Sequence, residues 1–127
     1  MNPSESPSIP ANLVVLRGSV AHAPALRDLP SGSVVAQFDV STAIQVDGRV
    51  ATGAVPVAWT DPSPSDLARV GEGVDVVVVG TVRRRFFRVA GATQSRTEVV
   101  ADAVIPARRR KQVDAMLQTV TDGLRPT

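Results

Sequence analysis

The chain has 127 residues, no cysteine and a net charge of +2, which suits a single domain and excludes disulfides and thiolate metal sites. Thirteen of its fourteen basic residues are arginine, which stays charged near neutral pH and raises the pI to about 10.4. No apolar run approaches the roughly 20 residues of a membrane helix. The Pro- and Ser-rich start, residues 1–11, is unlike a signal peptide and is expected to be disordered, so we expect a cytoplasmic protein.

The first half of the folded region predicts three strands. Residues 12–21 are apolar and rich in β-branched side chains, which indicates a first strand, and residues 24–32 are typical of a turn-rich connection. Residues 34–46 alternate apolar with polar side chains and predict a second strand with one buried face. The Asp47-Gly48 pair that follows is typical of a type I′ hairpin turn, so residues 49–59 are expected to return as an antiparallel third strand.

The second half predicts a short helix, two more strands and a helical tail. Residues 65–70 predict the short helix, capped by the serine that opens it. Residues 74–89 form an unusually long valine-rich run that predicts a fourth strand, and residues 96–105 alternate as a fifth. Residues 107–127 begin as a basic linker and continue, from near Gln112, with the apolar spacing of an amphipathic helix.

Five strands with a short helix between the third and the fourth form the element order of an OB-fold barrel. We therefore predict an all-β OB-fold domain over residues 12–106, followed by the C-terminal helix. In OB folds the face of strands 2 and 3 and the neighbouring loops bind oligonucleotides and oligosaccharides.

The fourth strand ends in a run of arginine and phenylalanine, RRRFFR at residues 83–88. Strand alternation puts three of these side chains on each face. The two sets are Arg83, Arg85 and Phe87, and Arg84, Phe86 and Arg88. Each face combines cations with an aromatic ring, the groups that bind single-stranded nucleic acid, and unpaired arginine cannot be buried in a core. We expect this segment to extend past the barrel as a hairpin arm, where its rings either stack on bases or pack against a sister subunit.

Five short segments carry motifs in a defined order along the chain. They are residues 12–18 (NLVVLRG), 24–27 (PALR), 32–40 (GSVVAQFDV), 73–87 (GVDVVVVGTVRRRFF) and 97–101 (TEVVA). In this order and spacing they resemble the bacterial single-stranded DNA-binding protein family, over about residues 12–104. The resemblance implies an OB fold that is usually a homotetramer and wraps single-stranded DNA without sequence specificity.

Three features depart from the pattern of that family. Gly53-Ala54 stands where the family often places a tryptophan. The chain closes on Arg125-Pro126-Thr127 instead of an acidic tip ending in Pro-Phe. A predicted helix also replaces the usual disordered linker. The departures suggest a divergent paralogue that binds DNA more weakly and lacks the usual docking of partner proteins.

Three further residues are candidates for contact with nucleic acid. Trp59 ends the third strand where the resemblance expects a stacking aromatic residue, although a tryptophan there could equally belong to the core or to an interface. Arg49, just after the hairpin turn, and Arg96, early in the fifth strand, could each contact phosphate or be ordinary exposed arginines. The basic run 108–111 has the same two interpretations. Phe38 lies on the apolar face of the second strand and is expected in the core.

The sequence offers little to an enzyme. His22 is the only histidine, and no P-loop, dinucleotide motif or metal-ligand cluster is present, so we expect no catalytic residues, cofactor, metal site or small-molecule substrate. The favoured hypothesis is a non-specific single-stranded DNA-binding protein of replication, recombination or repair, associated with the nucleoid. The alternative is an OB-fold module for protein interaction whose DNA binding is weak or lost. Under both we expect a homo-oligomer, a dimer or a tetramer, because apolar side chains would otherwise stay exposed.

Overall fold

The computed structural model describes residues 10–125. The disordered arm expected over residues 1–11 lies outside this range except for its last two residues. The described elements are β1 (Val14–Val20), β2 (Ala25–Asp28), β3 (Val34–Val46), β4 (Arg49–Thr60), α1 (Pro64–Ala68), β5 (Asp75–Val89), β6 (Ala92–Pro106) and α2 (Arg110–Leu124).

Five strands close into a barrel, and a sixth is added at its edge. The strands pair in the order β1-β5-β6-β4-β3-β2, and a further pairing of β1 with β3 closes the ring. All pairs are antiparallel except β4 with β6, which run parallel over Val57–Trp59 and Val99–Ala101. This architecture confirms the predicted OB fold, with the short helix α1 between its third and fourth barrel strands.

The core of the barrel is built from valine, alanine and two aromatic rings. Phe38 is fully buried, as its position on the apolar face of β3 predicts, and packs with Val57 and Val78. Residues 76–79 are buried on both faces of β5, as their unbroken valine run indicates. Leu67 of α1 packs against the same core, which places this helix over one opening of the barrel.

Several element boundaries differ from the sequence prediction. The strand β2 lies in the segment that the sequence predicts to be a turn-rich connection. Its four side chains are all exposed, so it has no alternating burial pattern to reveal it. It forms by main-chain pairing with the edge of β3. Helix α1 is capped by Ser63, whose hydroxyl accepts a hydrogen bond from the amide of Asp66, with a proline directly after the cap. The strand β6 begins four residues earlier than predicted.

Helix α2 begins at Arg110 rather than near Gln112, so part of the basic run belongs to its first turn. Its N-cap residue, Arg109, makes no side-chain capping bond, and no residue of the helix is fully buried. Exposure to water screens the repulsion between these cations and the helix dipole, which explains why the helix tolerates them. Within the described residues, no helix is long and apolar enough to cross a membrane.

Candidate nucleic-acid interface

The second half of β5 and the first half of β6 leave the barrel together as a hairpin. Pairing of β5 with β1 ends at Gly80, and pairing of β6 with β4 begins at Val99. Residues 83–98, here called the β5–β6 arm, therefore pair their main chains only with each other. At roughly 3.3 Å per residue the arm is about 25 Å long, which confirms the predicted projection of the RRRFFR segment.

The root of the β5–β6 arm is fixed by a glycine and an asparagine. At Gly80, where the register of β5 and β6 shifts, an added Cβ would lie 2.0 Å from the carbonyl oxygen of Val100, so no other residue fits without movement of the backbone. The amide side chain of Asn12 donates to the carbonyl of Val82 and accepts from its N–H, both at 2.9 Å. Asn12 thus mimics a peptide group and extends the β1–β5 ladder to the base of the arm.

The register of the arm defines an inner and an outer face. Val82 lies opposite Val99, and Val99 is a core residue, so the face that holds this pair continues the interior of the barrel. Because side chains alternate along a strand, this inner face also carries Arg84, Phe86 and Arg88. The outer face carries Arg83, Arg85 and Phe87 of β5, with Gln94, Arg96 and Glu98 opposite them.

The cations of the outer face are paired with carboxylates. Arg83 donates to Glu98 at 2.7 Å, and the Nε atom of Arg85 lies 3.9 Å from the same oxygen. Arg96 reaches Asp39 of β3 at 3.5 Å. The guanidinium carbon of Arg85 also lies 5.8 Å from the centre of the Phe87 ring, within the range of a cation–π contact. The outer face therefore presents little free positive charge and a ring that is partly covered.

The inner face is open. Phe86 is 65% exposed, the largest exposure of any aromatic ring in the chain's described part. Arg88 donates to the carbonyl of Gly91 at 2.8 Å, a contact that leaves its charge unneutralised. Arg84 is exposed, and among residues 10–125 it has neither a hydrogen-bond partner nor an ion-pair partner. An exposed ring between two arginines without carboxylate partners is typical of surfaces that bind single-stranded nucleic acid.

A second hairpin leaves the same end of the barrel. This hairpin, residues 42–56 of β3 and β4, is here called the β3–β4 arm. Because β4 and β6 run parallel and pair only over three residues, the tips of both arms lie at the same end. The turn at Asp47-Gly48 has positive φ at both residues, 50° and 75°, which confirms the predicted type I′ turn. At the root of this arm, the hydroxyl of Thr42 donates to the carbonyl of Arg17 at 2.8 Å.

The inner face of the β3–β4 arm is apolar with a cation at its tip. Ile44 and Val46 are 39% and 50% exposed, and Arg49 lies opposite Val46. The alternation of β3 predicts burial of these apolar side chains, but here the strand has already passed beyond the barrel. In each arm the inner face continues a face that points inward at the barrel. Sequence alternation did not identify Ile44 and Val46 as exposed, because it does not reveal where a strand leaves the core.

The structure sorts the predicted contact residues into three places. Arg49, Arg84, Phe86 and Arg88 lie on the inner faces of the two arms. The outer face holds Arg83, Arg85, Phe87 and Arg96. Trp59 is 6% exposed and belongs to the core cluster, so its ring offers no face for stacking and its assignment as a contact residue is corrected. The basic run 108–111 lies at the opposite end of the barrel, since β6 carries the chain away from the arms before α2 begins.

Buried Glu98 was not singled out by the sequence. It occupies an outward-facing position in the alternation of β6, where a carboxylate is normally exposed. Only the position of Arg83 and Arg85 on the neighbouring strand reveals that they cover it. In the described part of the chain, no group of three or more His, Asp or Glu side chains could hold a metal ion.

The closed five-stranded barrel is an OB fold, and two long hairpin arms extend from it. Among solved structures it is similar to a Plasmodium falciparum SSB in complex with ssDNA, with a TM-score of 0.65 and 21% identity, over 79% of this chain and 97% of that one. At this identity the likeness shows the fold. No protein-family model matches the chain. A search of curated proteins also finds no match.

Proposed function

We propose that this protein binds single-stranded DNA without sequence specificity, between the inner faces of its two arms. The observation that carries the proposal is the open row Arg84-Phe86-Arg88. A ring that is 65% exposed can stack on any base, and arginines without carboxylate partners can hold the phosphates on either side of it. Rings stacked on bases and guanidinium groups bound to phosphates read no base edges, so these contacts do not discriminate among sequences.

The β3–β4 arm supplies contacts for the other side of a single-stranded DNA bound between the arms. Ile44 and Val46 offer apolar contact to bases, and Arg49 adds a third cation at the tip. The similar OB fold solved in complex with ssDNA supports the same class of ligand. We infer that the protein acts where single strands are exposed in replication, recombination or repair, in the cytoplasm of a bacterium, as a divergent relative of the single-stranded DNA-binding proteins.

The proposal is tested by titrating the protein into fluorescently labelled oligo-dT and recording anisotropy over a series of salt concentrations. We expect binding at low salt that weakens linearly in log K against log[salt], with a slope of about −0.7 for each phosphate contact. Mixed-sequence oligonucleotides of equal length should bind with similar affinity. Absence of binding to every single strand at low salt would refute the proposed function.

An OB-fold interaction module is the second candidate, and one observation favours it. The outer faces of β1 and β5 and the apolar side of α2 enclose a groove of about 890 Å³, lined in part by Val15, Val77, Val113 and Leu117. Three arginines, Arg17, Arg108 and Arg110, also line it. If the titration fails, this groove becomes the primary functional surface.

We further infer that the protein is a homo-oligomer. Val15 is 44% exposed and Leu117 36% exposed beside the groove, and contiguous apolar surface of this kind marks association sites in soluble proteins. The groove lies at the end of β5 opposite the β5–β6 arm, so self-association through the groove leaves that arm free for DNA.

A further inference from the structure

The outer face of the β5–β6 arm holds a carboxylate that is almost completely buried. Glu98 is 4% exposed, and it is the only buried charged or polar side chain in the described residues. Its ion-pair partners are Arg83, at 2.7 Å, and Arg85, at 3.9 Å. A buried carboxylate of this kind is tolerated only while it is paired, so the fold requires the two arginines to stay beside it.

The two faces of the arms differ in net charge because of this carboxylate and of Asp39. On the outer face three arginines lie within ion-pair distance of Glu98 or Asp39, which leaves one net positive charge. The inner faces carry the three arginines Arg49, Arg84 and Arg88, and no carboxylate in the described chain pairs with them. The outer face and the inner faces thus carry three arginines each, but only the three on the inner faces lack a carboxylate partner among the described residues.

Arg85 lies close to both Glu98 and Phe87. Among the described residues its buried Nε atom has no hydrogen-bond partner, but it lies 3.9 Å from the Glu98 carboxylate, and the guanidinium carbon lies 5.8 Å from the centre of the Phe87 ring. A phosphate that takes Arg83 or Arg85 away from Glu98 leaves the buried carboxylate with one partner fewer. Loss of a partner from a buried carboxylate is costly, whereas an exposed contact with phosphate gains little.

We propose that the Glu98 carboxylate competes with DNA phosphates for Arg83 and Arg85. It thereby withholds these two arginines from the ligand and confines single-stranded DNA to the inner faces of the arms. The inference rests on the proposed function and assigns to Glu98 the choice of binding surface. It also limits affinity: in wild-type protein, only the inner arginines release counterions from the strand.

Glu98→Gln tests the proposal because it keeps the shape of the side chain and removes its charge. We expect the variant to bind oligo-dT about three- to tenfold more tightly near 0.1 M salt. Its slope of log K against log[salt] should steepen by about 0.7 to 1.4, the value for one or two new phosphate contacts. Circular dichroism and thermal unfolding establish that the variant is folded at the temperature of the titration.

Asp75→Asn is the matched control. It makes the same change in net charge and also releases an arginine, Arg17, from an ion pair of 3.0 Å. Asp75 begins β5, about 25 Å along the strand from Arg83 at roughly 3.3 Å per residue, at the end of β5 opposite the β5–β6 arm. We expect its salt slope to equal that of wild type. A Glu98→Gln slope equal to that of wild type, or matched by Asp75→Asn, would overturn the proposal while leaving the proposed function intact.

A second pair of variants keeps the proposal falsifiable if Glu98→Gln does not fold. Arg83→Gln and Arg84→Gln remove the same charge from adjacent residues on opposite faces. We expect Arg84→Gln to flatten the salt slope by about 0.7 and Arg83→Gln to leave it unchanged. Equal losses from the two variants would overturn the proposal. Failure of wild type and all variants to bind at low salt would instead refute the proposed function itself.

Discussion

Phe86 and Phe87 are neighbours in the sequence, but the alternation of β5 gives them different surroundings. Phe86 is 65% exposed on the inner face, whereas the ring of Phe87 lies beneath the guanidinium group of Arg85. A ring contributes to single-strand binding only when its face is free to stack. The contribution of each phenylalanine therefore follows from its face and not from its position in the RRRFFR run.

We expect Phe86→Ala to weaken binding of oligo-dT by about 1–3 kcal/mol, the value of one stacked base. Phe87→Ala should weaken it by clearly less, which makes it the matched control for loss of a phenyl ring from the same strand. Anisotropy titrations at one fixed salt concentration measure both effects. Equal weakening by the two variants, or a larger effect at Phe87, would contradict the assignment of the inner face.

The burial of Trp59 and Glu98 could not be predicted from the sequence. Alternation assigns each side chain to a face, but burial depends on what other strands place over that face. Trp59 was open to three interpretations because the end of β4 could have lain at the rim; its pairing with Ala36 and Ala101 puts it inside. Glu98 is buried beside two arginines of the neighbouring strand, a pairing that no local sequence pattern predicts.

The elements that the sequence predicts best are those with a local chemical signal. The Asp47-Gly48 turn was found because both residues tolerate positive φ, and β3 was found because its period-two pattern is long. The turn of the β5–β6 arm is also a two-residue turn, between Val89 and Ala92, but its first residue is an alanine. Ala90 has φ of 49°, a conformation that alanine rarely adopts, so only Gly91 marks this turn in the sequence.

We expect Ala90→Asn to stabilise the β5–β6 arm, because asparagine accepts the left-handed conformation that costs alanine about 1 kcal/mol or more. Hydrogen exchange of the arm amides is the appropriate measurement, since a hairpin paired only with itself opens locally. Protection should rise severalfold in the arm and stay constant in the barrel. Gly91→Ala, at φ of 79°, is the opposite change and should lower protection; a rise there, or a fall in Ala90→Asn, would contradict the turn geometry.

At the scale of the whole molecule, the order of elements predicted the barrel, because five strands with a helix after the third close in few ways. What it did not predict is the division of the molecule into two ends with different surfaces. The tips of the two arms, with their free arginines, extend from one end, and α2 lies at the other. This division depends on the parallel β4–β6 pairing, a contact between strands about 40 residues apart in sequence that local patterns do not encode.

The separation of the two ends leads to a prediction about assembly. We expect light scattering to give two or four times the 13.3 kDa mass of one chain. Leu117→Gln should lower the average mass, because Leu117 lines the groove and is 36% exposed there. Leu26→Gln is the control, since Leu26 is 59% exposed on β2 and does not line the groove. The dissociated variant should still bind a short oligonucleotide, because its arms are unchanged; a monomeric wild type, or equal effects of the two substitutions, would show that the groove does not hold the subunits together.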